Sequence, residues 1–154
     1  MNLLDQFILQ HVQTSILRSE LIRVSRKPGM QEAKVELNLT PRLMENDNGS
    51  ALPSYQVSAR LDCDSASNDE NGPAFKAIVG IEAVYQQISG EPMDVSQFTS
   101  EHAVLARQLY PLLQQEMRGL LSRMGLSQIQ LPFDLAPRVG KSKGPSIEVS
   151  GSLH

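Results

Sequence analysis

Residues 109 to 135 read "LYPLLQQEMRGLLSRMGLSQIQLPFDL", and the fold turns on how this stretch is understood. Its leucines and methionines recur at helical spacing, although Pro111 stands near the front and Gly119 in the middle. At about 100° per residue, Leu105, Leu109, Leu112, Leu113, Met117, Leu120, Leu121 and Met124 cover an arc of roughly 180°. A helix facing one core needs a stripe of only about 100°. A helix from Ser100 to Met124 would run about 36–38 Å, whereas a four-stranded sheet is about 15–20 Å wide. The helix therefore overhangs its sheet, and self-association is the simplest cover for the excess apolar surface. Gly119 costs about 1 kcal/mol against Ala in a helix, which fits the close passage of another helix. Pro111 is read either as a kink or as the first residue of a second helical segment.

The segments before the helix read as strands. In "KVELNLT", Val35, Leu37 and Leu39 alternate with Lys34, Glu36 and Asn38, the period of a half-buried strand. "YQVSARLDC" repeats the pattern with Tyr55, Val57, Ala59 and Leu61. "AFKAIVGIEAVYQQI" places Phe75, Ala77, Val79, Ile81, Ala83 and Tyr85 on one parity, while Ile78 and Val84 make its other face partly apolar. Gly80 marks a bulge or the close approach of another backbone. "MENDNGSALPS" and "DSASNDENGP" are turn-rich connections. The opening segment, Leu3 to Val24, is ambiguous and reads as a short helix passing into a strand near Ile16 to Val24. Strands followed by a helix, without βαβ alternation, indicate an α+β fold with an antiparallel sheet. From Arg138 the chain is rich in Gly, Ser and Lys, so residues 1–137 are expected to form one domain and 138–154 a flexible tail.

Composition narrows the partners. At 154 residues the chain is long enough for one buried core. A net charge of -3 and the lack of a Lys/Arg run argue against nucleic acid. Aromatics at 5%, without Trp, offer no base-stacking platform. Met1 to Gln10 has no basic n-region, and no apolar run approaches the ~20 residues of a membrane span. No membrane partner is expected, and a soluble cytoplasmic protein is. On that reading the sequons at Asn38 and Asn48 are chance matches.

Catalytic chemistry finds little to stand on. His11, His102 and His154 are far apart and lack metal-ligand spacing, so no metal site is expected. No nucleophile elbow occurs. Gly140-Lys141-Ser142 ends like a phosphate loop, but the earlier Gly is replaced by Leu135 and no strand precedes it. Cys63 is the single cysteine, and Asp62 and Asp64 beside it disfavour a thiolate. No catalytic residue, cofactor or metal is expected, and the apolar faces favour binding over catalysis.

The stretch from Leu109 to Leu135 resembles the SecB family of bacterial export chaperones. Leu109-Tyr110-Pro111 matches the start of that family's long helix, Ser122-Arg123 its end, and Gln128-Ile129-Gln130-Leu131-Pro132 its exit. "EAKVELNLT" is similar to the family's second strand and "AFKAIVGIEAVYQQI" to its fourth, so the resemblance runs from about Ile16 to Leu135. It implies a four-stranded antiparallel sheet, a crossover, a long helix and a truncated second helix. It further implies a homotetramer, a dimer of dimers, with Leu105, Leu109, Leu112, Gly119, Leu120 and Met124 at the seam. Such proteins hold unfolded polypeptides in hydrophobic grooves without nucleotide. By resemblance Val35, Leu37 and Leu39 line that groove, and Met93 and Phe98 in the crossover are added to it. Methionine suits a promiscuous surface.

The departures are specific. A glutamate of the family's fourth strand is matched by Ile78, the first strand keeps Glu20 but carries Arg18, Arg23 and Arg26, and the acidic tail is replaced by "GKSKGPSIEVSGSLH". These speak against delivery to the SecA motor. Three readings follow: a general or export-linked holdase, a chaperone for a dedicated client such as an antitoxin, or a scaffold protein on the same fold.

Overall fold

The computed structural model describes residues 3–23, 33–44, 52–65, 74–132, 137–138 and 147–153. The order is α1 (Leu3–Gln6), β1 (Phe7–Leu21), β2 (Ala33–Leu43), β3 (Ser54–Ser65), β4 (Phe75–Gln87), α2 (Val95–Ser100), α3 (His102–Arg123), β5 (Pro137–Arg138) and β6 (Ile147–Leu153). The strands form one antiparallel sheet in the order β1-β4-β3-β2-β6-β5. The four expected strands are its contiguous block.

Their alternating patterns translate directly into one buried face. Val35, Leu37, Leu39, Val57, Leu61, Phe75, Val79 and Tyr85 are sealed beneath the helices, each aliphatic side chain contributing roughly 1.5–3 kcal/mol. The polar parity faces outward, where Arg60 pairs with Asp62 at 3.1 Å and Glu82 accepts from Gln56 Nε2 at 2.9 Å and Ser58 Oγ at 2.6 Å.

The helix arc is explained mostly within the chain. Leu105, Leu109, Leu113, Met117, Leu120 and Leu121 are all buried, together with Ala106 and Tyr110. α3 packs chiefly on β4 and β3, so a broad sheet face, closed at the edges by Tyr110 and the segment after the helix, accommodates nearly the whole arc. Tyr110 donates its hydroxyl to the Pro132 carbonyl at 2.5 Å. The helix runs unbroken through Pro111, which lies on its exposed side. It ends where Gly125 takes φ 74°: Leu126 N–H reaches Leu121 O at 2.8 Å and Gly125 N–H reaches Ser122 O at 3.0 Å, the Schellman arrangement.

Three expectations need correction. The first strand starts at Phe7 rather than near Ile16, because two bulges, at Leu9/His11 and Thr14/Ile16, break the alternation that would announce it. The crossover contains a helix of its own, α2, whose capping box joins Asp94 and Gln97. In the segment expected to be a flexible tail, Ile147–Leu153 is a strand paired with β2. There the alternation of Ile147, Val149 and Leu153 with Glu148, Ser150 and Ser152 outweighs the Gly/Ser composition.

Candidate polypeptide-binding surface

The crossover is the most tightly organised connection in the described chain. Gln87 is buried at the end of β4, where its side-chain amide donates to Ser89 O at 2.9 Å and Glu91 O at 2.6 Å and accepts from Met93 N–H at 3.0 Å. Tyr55 reaches across from β3 and donates to the Met93 carbonyl at 2.5 Å. Gly90, at φ 80°, makes the turn between these contacts. The result holds Met93 half-buried and drives Phe98 into the core.

Phe98 is the hub of an aromatic cluster. It stacks on Tyr55 with centroids 4.2 Å apart and meets Phe7 at 5.2 Å and Tyr85 at 5.9 Å, geometries worth about 0.5–1.5 kcal/mol each beyond area burial. Tyr85 donates to Gln108 Oε1 at 2.8 Å, tying the cluster to α3. Burial pushes both tyrosine hydroxyls above their usual range, with the Asp94 charge adding to the effect at Tyr55.

The five residues expected to line a groove are thus brought to one side of the sheet, but not onto an open surface. Val35, Leu37, Leu39 and Phe98 are 0% exposed and Met93 is half-buried. The expectation that this face of β2 is wet in the free chain is corrected. α2 packs against β2 and closes it as core. Of the six residues expected at a subunit seam, Leu105, Leu109 and Leu120 are likewise core, Met124 is half-buried, and Leu112 and Gly119 remain on the outside. A Cβ added at Gly119 would meet nothing within 4 Å in the chain.

Besides single exposed side chains such as Leu43 and Ile88, a run of exposed apolar residues lies along β1. Val12, Leu17 and Leu21 stand opposite the buried Ala83, Val79 and Phe75 of β4, hence on the helix-side face. They nevertheless stay open, Leu17 at 50%, because α3 packs more on β4 and β3 than on this strand. Ile22 continues the strip at the end of β1, and Leu112 is exposed on α3. Among the described residues β1 pairs only with β4, which leaves its outer edge unpaired there. Sequence reading missed this strip because the bulges space Leu9, Val12, Leu17 and Leu21 unevenly. Gly80 is the counterpart of the second bulge: a Cβ there would lie 3.0 Å from Ser15 Oγ and 3.2 Å from Ile16 Cβ.

Reactive groups do not converge. Cys63 is buried, and desolvation, reinforced by the Asp64 charge, pushes its thiol up to about 12, which leaves it protonated and weakly nucleophilic. Burial, then the neighbouring Asp62, raise Asp64 in turn. His11 and His102 lie on β1 and at the start of α3, while Gly140-Lys141-Ser142 and His154 fall outside the described residues. Among the described residues no group of three His, Cys, Asp or Glu side chains is placed to hold a metal ion, and no helix is long and apolar enough to cross a membrane.

No protein-family profile and no curated protein matches the sequence. Among solved structures the chain is similar to a SecB-like chaperone of Mycobacterium tuberculosis, Rv1957, solved in complex with a ChAD peptide from the HigA1 antitoxin. The two share 17% identity and a TM-score of 0.63 over 85% of this chain and 93% of that one. The likeness establishes that this chain has the SecB-like fold.

Proposed function

We propose that the protein is a nucleotide-independent, SecB-like chaperone that holds unfolded or aggregation-prone polypeptides and works as a homo-oligomer, a dimer of dimers in the cytoplasm. The observation that carries this reading is the SecB-like fold, shared over most of both chains with a chaperone seen with a peptide bound. The chemistry agrees: the described residues offer apolar side chains and, in β2, a strand edge that accepts a further short strand, rather than convergent titratable groups. Extended polypeptide is recognised by that combination, through backbone pairing and shallow apolar contacts.

The two surfaces take different roles. The β1 strip with Leu112, and the helix side at Gly119 and Met124, are assigned to subunit contacts. Clients are assigned to the β2 side, with Val35, Leu37 and Leu39 behind the strand and Met93 and Phe98 in the crossover. Because those side chains are covered, a client reaches them from the edge of β2, in place of β6, rather than from above its face.

A second reading narrows the client. The neighbour's partner is an antitoxin peptide, which favours a dedicated client of that kind over a general role in export. A test on one preparation suffices. The protein without ATP should suppress aggregation of a chemically unfolded, unrelated protein at near-stoichiometric oligomer. Suppression confined to one antitoxin would select the dedicated reading. No suppression of either would leave a scaffold on this fold and end the holdase proposal.

A further inference from the structure

We propose that the outer edge of β2 is a strand-addition site for extended client segments, and that the chain's own β6 occupies it as an internal competitor; this rests on the chaperone reading above. β6 pairs antiparallel with β2 over seven residues, setting Ile147, Val149, Gly151 and Leu153 opposite Leu39, Leu37, Val35 and Ala33. The chain itself therefore shows what this edge accepts: a short extended segment in which apolar residues alternate with polar ones.

The edge is built to receive a strand. β2 keeps an uninterrupted register with β3 from Ala33 to Leu43, without a bulge, so from Ala33 to Leu39, ahead of Pro41, its outward N–H and C=O groups form an even template. β1, the other flank, carries two bulges, which twist an edge away from regular pairing.

β6, in contrast, is built to leave. Ser150, Gly151 and Ser152 are weak strand formers, and Gly in a strand weakens it further. Its outer neighbour β5 supports it at only two positions, Val149 and Glu148. What favours it is that it belongs to the same chain as the edge it pairs with. As part of the same chain it competes intramolecularly, at an effective concentration on the order of mM, so even a weak strand excludes micromolar clients until one binds more strongly or the strand is released.

The test opens and locks this strand in the full chain. In the opened form, Val149→Pro with Ser150→Pro removes a donor whichever of the two neighbouring N–H groups faces β2. In the locked form, Glu36→Cys with Ser150→Cys joins residues that face each other in the register, at a separation a disulfide spans. The probe is a fluorescent peptide of residues 146–154, SIEVSGSLH, read by anisotropy. Circular dichroism checks that both variants keep the sheet. The opened form should bind the peptide at least about tenfold more tightly than wild type, the ratio expected on removing a tethered competitor. The locked form, oxidised with glutathione disulfide, should not bind it, and reduction should restore wild-type binding. Equal affinity for opened and wild-type protein, or failure of the disulfide to form, overturns the proposal.

Aggregation suppression by the same three forms separates this inference from the function beneath it. If suppression is present but indifferent to the state of β6, the holdase stands and the edge site falls. If peptide binding follows β6 while no form suppresses aggregation, the edge site stands and the holdase falls.

Discussion

β1 and β2 are the flanking strands of the same four-stranded block, and they are finished in opposite ways. β2 alternates regularly, buries one parity from Ala33 to Pro41, leaving only Leu43 at its end exposed, and has its edge paired by β6 from Ala33 to Leu39. β1 is longer, twice bulged, open on both faces over most of its length and unpaired along its outer edge. One strand is completed by its own chain. The other presents apolar side chains that only a further partner can cover, which is why subunit contact is assigned to β1 and exchangeable binding to β2.

The largest effect that could break this contrast lies on β2. Leu37→Ser together with Leu39→Ser should destabilise the chain by about 4 kcal/mol or more, summing two large-to-small changes at fully buried sites. Urea unfolding measures it. A double mutant as stable as wild type would mean that this face opens in solution and is a client surface after all.

On β1 the expectation reverses. Leu17→Asp, at a half-exposed position, should change the stability of the single chain by no more than about 0.5 kcal/mol. Yet it should lower the light-scattering mass from near four times 17.0 kDa, because a charge buried unpaired in a contact costs several kcal/mol. Leu112→Asp should act in the same direction. An undiminished mass in both variants would move the subunit contacts away from this strip.

Cys63 reports on the seal from the β3 side. With its thiol raised from 9.0 to about 12, alkylation of native protein at pH 8 should run on the order of a thousandfold slower than that of an exposed cysteine, since only the thiolate reacts. The sign for stability follows: the folded state retains the proton that the unfolded chain gives up above 9.0. This contribution is therefore present below pH 9 and lost as pH rises towards 12. Cys63→Ala should flatten the fall in stability over that window.

The smallest effect separates two meanings of Gly119. An added Cβ meets nothing in the chain, so Gly119→Ala should stabilise the helix by about 0.5–1 kcal/mol. If another helix passes at that point, the same methyl should weaken the oligomer, which light scattering at falling concentration would detect.

Much of the architecture was legible because period-2 alternation survives wherever a strand is regular. Val35–Leu39, Tyr55–Leu61 and Phe75–Tyr85 announced β2, β3 and β4, and the Leu/Met spacing announced α3. β1 was only half-legible, since each bulge inserts a residue and flips the parity of those that follow. β6 was hidden by the Gly/Ser/Lys composition around it, although Ile147, Val149 and Leu153 carry the alternation. Of the site, the association of Met93, Phe98 and β2 on one side of the sheet was readable. Their burial was not.

The sequence by itself determined which residues are apolar and at what period, and hence an α+β chain of antiparallel strands ending in a long helix. Only the tertiary structure decided which apolar surfaces are spent inside the chain. Periodicity marks a face as apolar but carries no information on what lies against it. The 180° arc of α3 and the alternation of β2 looked like surfaces awaiting a partner. The sheet and α2 cover most of both, and the bare strip falls to β1, on which α3 packs less than on β4 and β3.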